Sequence, residues 1–417
     1  MNQSKINQVL KQMLKELRPS ESEVNKVESV IKFTKTSLET KLLKYNAEVV
    51  VGGSVAKGTW IKGSHDLDFF VRFDIKHEKT MEKLLKRAVN SIFKKSEVLH
   101  GSRDYLKTRY RGYYIEIVPT LKIEDPSYAK NSMDASPFHS DYVKSKISKN
   151  PRLADEIRLL KAFSKAQKVY GAETHISGLS GYVIELLLIH SGSFLELAKI
   201  FDIKTPKIFL DIEKKYSSES EIKNEVSDSK LKSPIVLIDP VLKKRNAAAA
   251  LNYDTYAQLV FSLRKFLRSP SKSFFKEDKM NLKNIRALSK KRGTLLVSQD
   301  LGLPKEKEDV FYAKLSNKLN RLNSMLASEG IDVYDYGFFK ENSLVVYFEL
   351  GTLQFSKMKK HFGPPVWVSP PHFEKFLKKW KNRAYVCRGK LCVDISRGFK
   401  DVKSFVSKAL KEAVRDV

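Results

Sequence analysis

Residues 52–70 read GGSVAKGTWIKGSHDLDFF, and the fold is decided by what this stretch can be. A short apolar strand, AEVVVGG, runs into it. Two glycines and Ser54 then open a helix directly after that strand, which aims backbone N–H groups and a hydroxyl at an anion; glycine lets a phosphate approach the chain. Beyond them HDLDFFVRF has the period-two pattern of a strand. Its Asp66 and Asp68, spaced i, i+2, share one face. Two acids side by side among Leu67, Phe69 and Phe70 repel each other. Hard divalent cations relieve that repulsion, and magnesium (Mg2+) prefers such oxygen ligands.

A third acid is available. Glu116 lies in YYIEIVP between Ile115 and Ile117, where an unpaired carboxylate is costly. If its strand neighbours the first, Asp66, Asp68 and Glu116 converge, and two metals about 3.5–4 Å apart could serve an attacking hydroxyl and a leaving phosphate. Each feature alone has a plainer reading. GGS is an ordinary turn, a D-x-D on a strand edge is a solvated pair, and Glu116 could face water. Their combination at this spacing points to nucleotidyl transfer.

Outward from this stretch the order of elements predicts an α+β, multidomain chain. Ser20 and Glu23 form a capping box for a long helix through about Lys44. A helix is expected from about Lys79 to Lys95, then two strands in YLKTRYRGYYIEIVPTLKI around Arg111-Gly112. This gives a small mixed sheet with helices, residues 1–145. The pattern over 146–272 is helical, with SDSKLKSP as a polar interruption. Residues 273–417 are mixed again: strands in GTLLVSQDL and NSLVVYFELGTL, a helix ending at Gly330, a loop and a helix in KMKKHFGPPVWVSPPHFEKFLKKW, and a hairpin in AYVCRGKLCVDI.

Composition narrows the partners. The chain has 417 residues, with 77 Lys plus Arg against 48 Asp plus Glu, a net charge of +29. That excess suits a polyanion, nucleic acid above all. Two cysteines, Cys387 and Cys392, exclude a disulfide scaffold and suit a reducing compartment. No apolar run reaches the roughly 20 residues of a membrane span. A cytoplasmic location is expected. His361, His372, Cys387 and Cys392 have the wrong spacing for a usual zinc site, and cross-strand packing is the expected role of the cysteines. Trp367 and Trp380 could stack on bases, but core positions are expected for both.

With those residues in view the chain resembles the archaeal (class I) CCA-adding enzymes, tRNA nucleotidyltransferases of the DNA polymerase β superfamily. The GS–spacer–D-x-D pattern marks the superfamily. SPFH (136–139), EIRLLKAF (156–163), VYGAE (169–173), SGYVIELLLIHSGSF (180–194), DPVLKKRNAAAAL (239–251), SPSKSFF (269–275) and HFGPPV look like the archaeal family in particular. The resemblance implies a nucleotidyltransferase head, a helical neck, and a body and tail that clamp the tRNA acceptor arm. It implies template-free addition of C, C and A to the tRNA 3′ end from CTP and ATP, no membrane partner, and leaves a homodimer open. Asp66, Asp68 and Glu116 would hold the magnesium ions. Ser54 and Lys57 would bind the triphosphate. His139, Lys161, Tyr170 and Arg245 would face the nucleotide from the neck.

Lys57 and Lys161 suit that role physically, since both would neutralise charge on departing pyrophosphate. Nine residues separate Lys161 from Tyr170, which would set them on opposite faces of an unbroken helix, so Tyr170 is expected past the helix end at Gly171. The chain departs from the family where Lys57 replaces a common Arg, Asp66 a common Glu, Glu116 a common Asp and Leu242 a common acid. It also lacks a longer C-terminal extension. Rival readings are a CC- or A-adding specialist, a poly(A) polymerase or oligoadenylate synthetase, and a catalytically decayed tRNA-binding protein.

Overall fold

The computed structural model describes residues 3–100, 103–202, 206–277, 280–304, 308–354, 356–399 and 401–415. The chain divides into two compact units, Met1–Asp278 and Lys279–Val417.

In the first unit α1 (Gln3–Leu17) leads to α2 (Glu21–Leu42), which starts at the capping box predicted for Ser20 and Glu23. Then follow β1 (Glu48–Val51), the one-turn α3 (Gly53–Ala56), β2 (Asp66–Phe73), α4 (Met81–Ile92), β3 (Ser96–Leu99), β4 (Tyr105–Tyr110) and β5 (Tyr113–Leu121). The strands form one mixed sheet in the order β1-β2-β5-β4-β3, with only the β2–β5 pair parallel. Alternation in β2 decides which side is which. Leu67, Phe69, Val71 and Phe73 are buried against α2 and α4 with Val30, Leu38, Leu85 and Val89. Asp66 and Asp68 therefore project from the opposite face. The edge strand β3 was not foreseen; four residues, half of them polar, carry too little pattern.

Past β5 come α5 (Ser136–Lys149), α6 (Leu153–Ala166), α7 (Gly181–Ser191), α8 (Phe194–Ile200), β6 (Ile208–Leu210), α9 (Glu219–Glu225), α10 (Asp228–Leu231), β7 (Ile235–Leu237) and α11 (Tyr253–Arg268). A second core is built by Ile157, Leu160 and Phe163 of α6, Ile184 and Leu187 of α7, and Leu263 and Phe266 of α11. Although α1 is numbered with the head, its Ile6, Val9, Met13 and Leu17 are buried in this helical core. Two expectations change here. SDSKLKSP is not a plain interruption, because Ser227 precedes the short α10, whose Leu231 is buried. The segment also carries a two-stranded parallel pair, β6 and β7, which the helical pattern hid.

The second unit holds α12 (Leu282–Arg292), β8 (Leu295–Asp300), α13 (Glu308–Ser328), β9 (Val333–Lys340), β10 (Leu344–Leu350), β11 (Met358–Pro365), α14 (Pro370–Trp380), β12 (Tyr385–Cys387), β13 (Lys390–Ser396) and α15 (Val402–Val414). A β8-β10-β9 sheet packs on α13 and α15, and a β11-β13-β12 sheet on α14. KMKKHFGPP, expected as loop, is the strand β11, paired with β13 from Met358 to Pro365. Its first four residues, Met358 to His361, include two lysines and a histidine, so no apolar alternation marks it. Trp367, expected in a core, is 78% exposed beside Gly389, whereas Trp380 packs with Phe376 and His361. Among the described residues no helix is long and apolar enough to cross a membrane.

Candidate active site

The sheet register assembles the acids. Asp68 lies opposite Glu116 and Asp66 opposite Tyr114 across the parallel β2–β5 pair. On the far side of β5, Lys107 of β4 pairs with Glu116 and Arg109 with Tyr114. Two rows thus cross three strands on one face: Asp68–Glu116–Lys107 and Asp66–Tyr114–Arg109. Cross-strand neighbours stand about 5 Å apart at their Cβ atoms, so the three carboxylates sense one another. Asp68 keeps an edge in the cleft but is otherwise enclosed. Burial raises its pKa to about 6, and the charges of Glu116 and Asp66 push the same way.

Gly53 explains how Asp68 fits. Its φ is +63°, and a Cβ there would fall 1.7 Å from Asp68 Oδ2. Only glycine lets that carboxylate lie against the turn. The preceding strand is fixed by Gly52 N–H donating to the Asp68 carbonyl at 2.8 Å. The donor set suits a divalent cation, because three carboxylates gathered on one face of the sheet offer hard oxygen ligands. Glu116, however, is drawn aside: Lys107 Nζ donates to its Oε1 at 3.0 Å. Among the described residues, no three His, Cys, Asp or Glu side chains close on a common point as they stand.

Facing the acids is a cleft of about 320 Å³ lined by Ser54, Lys57, Asp66, Asp68, Lys161 and Tyr170. Six of the sequence-predicted residues therefore meet in one cavity. Their electrostatics rest on a residue that the sequence reading missed. Glu185 of α7 is fully buried and accepts from Lys57 Nζ at 2.6 Å, Lys161 Nζ at 3.3 Å and Thr59 Oγ1 at 3.2 Å. Lys161 also donates to Thr59 Oγ1 at 2.9 Å. Burial alone would raise Glu185, but the charges of Lys57 and Lys161 outweigh it and hold the carboxyl below its usual range. Burial in turn lowers Lys161 to about 8 against the pull of Glu185. The one available signal was a lone acid in the otherwise apolar helix GYVIELLLIHS.

Tyr170 does lie past the end of α6, held by a bridge to Leu179, and Gly171 takes a φ of +127°. Its hydroxyl sits over Gly181, and burial first, then Glu185, raises its pKa to about 12.

His139 and Arg245 stand outside the lining of that cleft and meet around Asp239, which is fully buried. His139 Nε2 lies 3.0 Å from Asp239 Oδ2, and Arg245 Nη1 donates to the same oxygen at 2.5 Å. Tyr182 donates to Asp239 Oδ1 at 3.0 Å and also lines the cleft, joining the two clusters. Burial opposes the charge of Asp239, but His139, the Val241 N–H and Arg245 hold it well below the usual carboxylate range. Neither Asp239 nor Tyr182 was singled out from sequence.

Three families match successive stretches of the chain. The family described as nucleotidyltransferase domain matches residues 31–139, that of the tRNA nucleotidyltransferase second domain residues 155–276, and that of the CCA-adding enzyme C-terminal domain residues 292–415. A CCA-adding enzyme of Nanoarchaeum equitans is 36% identical over 85% of this chain and 86% of its own length. One from Methanosarcina mazei is 30% identical over 95% of this chain and 88% of its own. In fold, the chain resembles the Cid1 poly(U) polymerase in complex with its short product ApU, with a TM-score of 0.53 at 13% identity over 67% of this chain and all of that one. On the strength of its archaeal relatives and of these three matched segments, the chain belongs to the archaeal CCA-adding enzymes, a family of tRNA nucleotidyltransferases.

Proposed function

We infer that this chain adds C, C and A without a template to the 3′ end of tRNA, taking them from CTP and ATP. The observation that carries this reading is the meeting of Asp66 and Asp68 with Lys57, Lys161 and Tyr170 in one cleft, with Glu116 in register beside them. The tRNA 3′ hydroxyl oxygen attacks the α-phosphate and its proton passes to solvent; a new P–O bond forms, and the bond to the β-phosphate bridge breaks. Pyrophosphate leaves with the electron pair.

In this reading Asp66, Asp68 and Glu116 would hold divalent cations, magnesium in the cell. When bound, such cations activate the attacking oxygen and offset charge on the phosphates. Ser54 and Lys57 meet the triphosphate from the turn, and Lys161 from α6. Two lysines against Glu185 leave one net positive charge at this wall, placed where pyrophosphate gathers its charge. Glu185 keeps both ammonium groups from wandering, so little reorganisation accompanies triphosphate binding. Tyr170, His139 and Arg245 orient the base and sugar, the latter two anchored by Asp239. The same reading divides the chain into a catalytic head (1–145), a neck (146–272) and a tRNA-binding body and tail (273–417).

The test uses tRNA trimmed of its 3′ CCA, magnesium, and CTP alone, ATP alone or both. CC from CTP alone and CCA from both support the reading. Addition of only CC or only A makes the chain a specialist, long A tails make it a poly(A) polymerase, and no addition with intact tRNA binding makes it a decayed binder.

A further inference from the structure

The hairpin joining β4 to β5 turns on Arg111 and Gly112 alone, with φ of +48° and +88°, and so fixes its own register. Counting back from Tyr110 opposite Tyr113, that register sets Lys107 opposite Glu116. The parallel β2–β5 pair sets Asp68 opposite Glu116 on the other side. Glu116 therefore stands in one row between an acid and an ammonium, each a cross-strand neighbour about 5 Å away at Cβ. It leans to the ammonium, accepting from Lys107 Nζ at 3.0 Å, and the two side chains are 32% and 28% exposed. The Tyr114 ring flanks Lys107, its centre 5.2 Å from Nζ. Arg109 lies 5.4 Å from the same ring centre and is bonded to no carboxylate among the described residues.

We propose that Lys107 is a resident counter-ion for Glu116, which a divalent cation must displace before all three carboxylates can close on it. The inference rests on the reading of Asp66, Asp68 and Glu116 as cation ligands and adds the residue that regulates them. In the free protein Asp68 is ready: it is seated against Gly53, with no Lys or Arg bonded to it among the described residues. Glu116 is not ready. The like charge of Asp68 turns its carboxylate away and Lys107 holds it there; a dication beside Asp68 would reverse that balance. Glutamate has one methylene more than aspartate, so one backbone position lets the carboxylate reach either neighbour. Lys107 thus lowers the free protein's affinity for cations and spares the acid row its mutual repulsion until one arrives.

The test titrates manganese into the full chain, free of RNA and nucleotide, and follows the unbound ion by electron paramagnetic resonance. Lys107→Met keeps the side chain's length and removes its charge; the manganese dissociation constant should fall about tenfold, within the range of coupling in one salt-bridge network. Arg109→Met removes a cation from the same face without freeing Glu116 and should stay within about twofold of the unaltered chain. The gain should vanish when Glu116→Gln is added to Lys107→Met, since no carboxylate is then released. Lys107→Gln repeats the measurement should Lys107→Met not fold. An unchanged constant in Lys107→Met, an equal gain in Arg109→Met, or a gain that survives Glu116→Gln would overturn the proposal. Manganese affinity indifferent to Asp68→Asn would instead count against the acids as cation ligands. Failure of the unaltered chain to add CCA would bear on the catalytic reading alone, because the titration needs no turnover.

Discussion

The two walls of the nucleotide cleft handle buried charge in opposite ways. On the strand wall, Asp66 and Asp68 project together with no Lys or Arg bonded to either among the described residues, and the pKa of Asp68 rises to about 6. On the helical wall, Lys57 and Lys161 arrive already paired with a fully buried Glu185. An unneutralised wall is costly for the free protein and is tolerated where a ligand will supply the missing charge. A neutralised wall is rigid before anything binds. On the proposed function, the unneutralised wall is the one that would hold cations and the paired wall the one that would meet phosphate.

Substitutions should break the two walls differently. The largest effect is expected on the strand wall. Asp68→Ala should lower CCA addition by about 10³-fold or more, since several kcal/mol of charge stabilisation are lost, while tRNA binding measured by anisotropy stays near the unaltered value. Gly53→Ala attacks the same wall from behind. Its Cβ would overlap Asp68 Oδ2 and its φ is positive, so activity should fall by about 10–100-fold at a cost of about 1–3 kcal/mol in stability; thermal unfolding and turnover check both numbers.

Glu185→Gln should behave in the reverse manner. Leaving two lysines without their buried anion should destabilise the chain by about 3–5 kcal/mol, readable in denaturant unfolding, and should raise the KM for CTP more than that for tRNA.

The smallest effect is a pH dependence. Lys161 loses its proton near pH 8 in the folded chain but near 10.5 when unfolded. Between those values the unfolded chain binds the extra proton, so folding stability rises with pH there. Phosphate affinity should move the other way, with the KM for CTP growing several-fold from pH 7 to 9. Lys161→Arg, charged throughout, should flatten that rise, and an unchanged rise in that variant would remove Lys161 from the account.

The two walls were also unequally legible in the sequence. Asp66, Asp68 and Glu116 could be read because period-two strands place alternate residues on one face, and an acid between isoleucines is conspicuous. The helical wall could not. Lys161 looks like a solvated helix position until α7 is packed against α6, and nothing local shows that Glu185 will reach Lys57, 128 residues away. Asp239 gathers His139, Tyr182 and Arg245 through the same kind of long-range closure. The fold was legible where patterns were long, as in α2, β2 and α13, and hidden where elements were short or outwardly charged, as in β3, β6, β7 and β11. Trp367 was misplaced because the hairpin at Gly389 presents it to solvent instead of covering it.

The proposed division of labour is that the strand wall would hold divalent cations while the helical wall is already paired without them. Its most direct test is manganese binding to the free protein, followed by electron paramagnetic resonance, for the unaltered chain, Asp68→Asn and Lys161→Met. The account predicts binding that is lost in Asp68→Asn and kept in Lys161→Met. Manganese bound equally well by Asp68→Asn and the unaltered chain would contradict it.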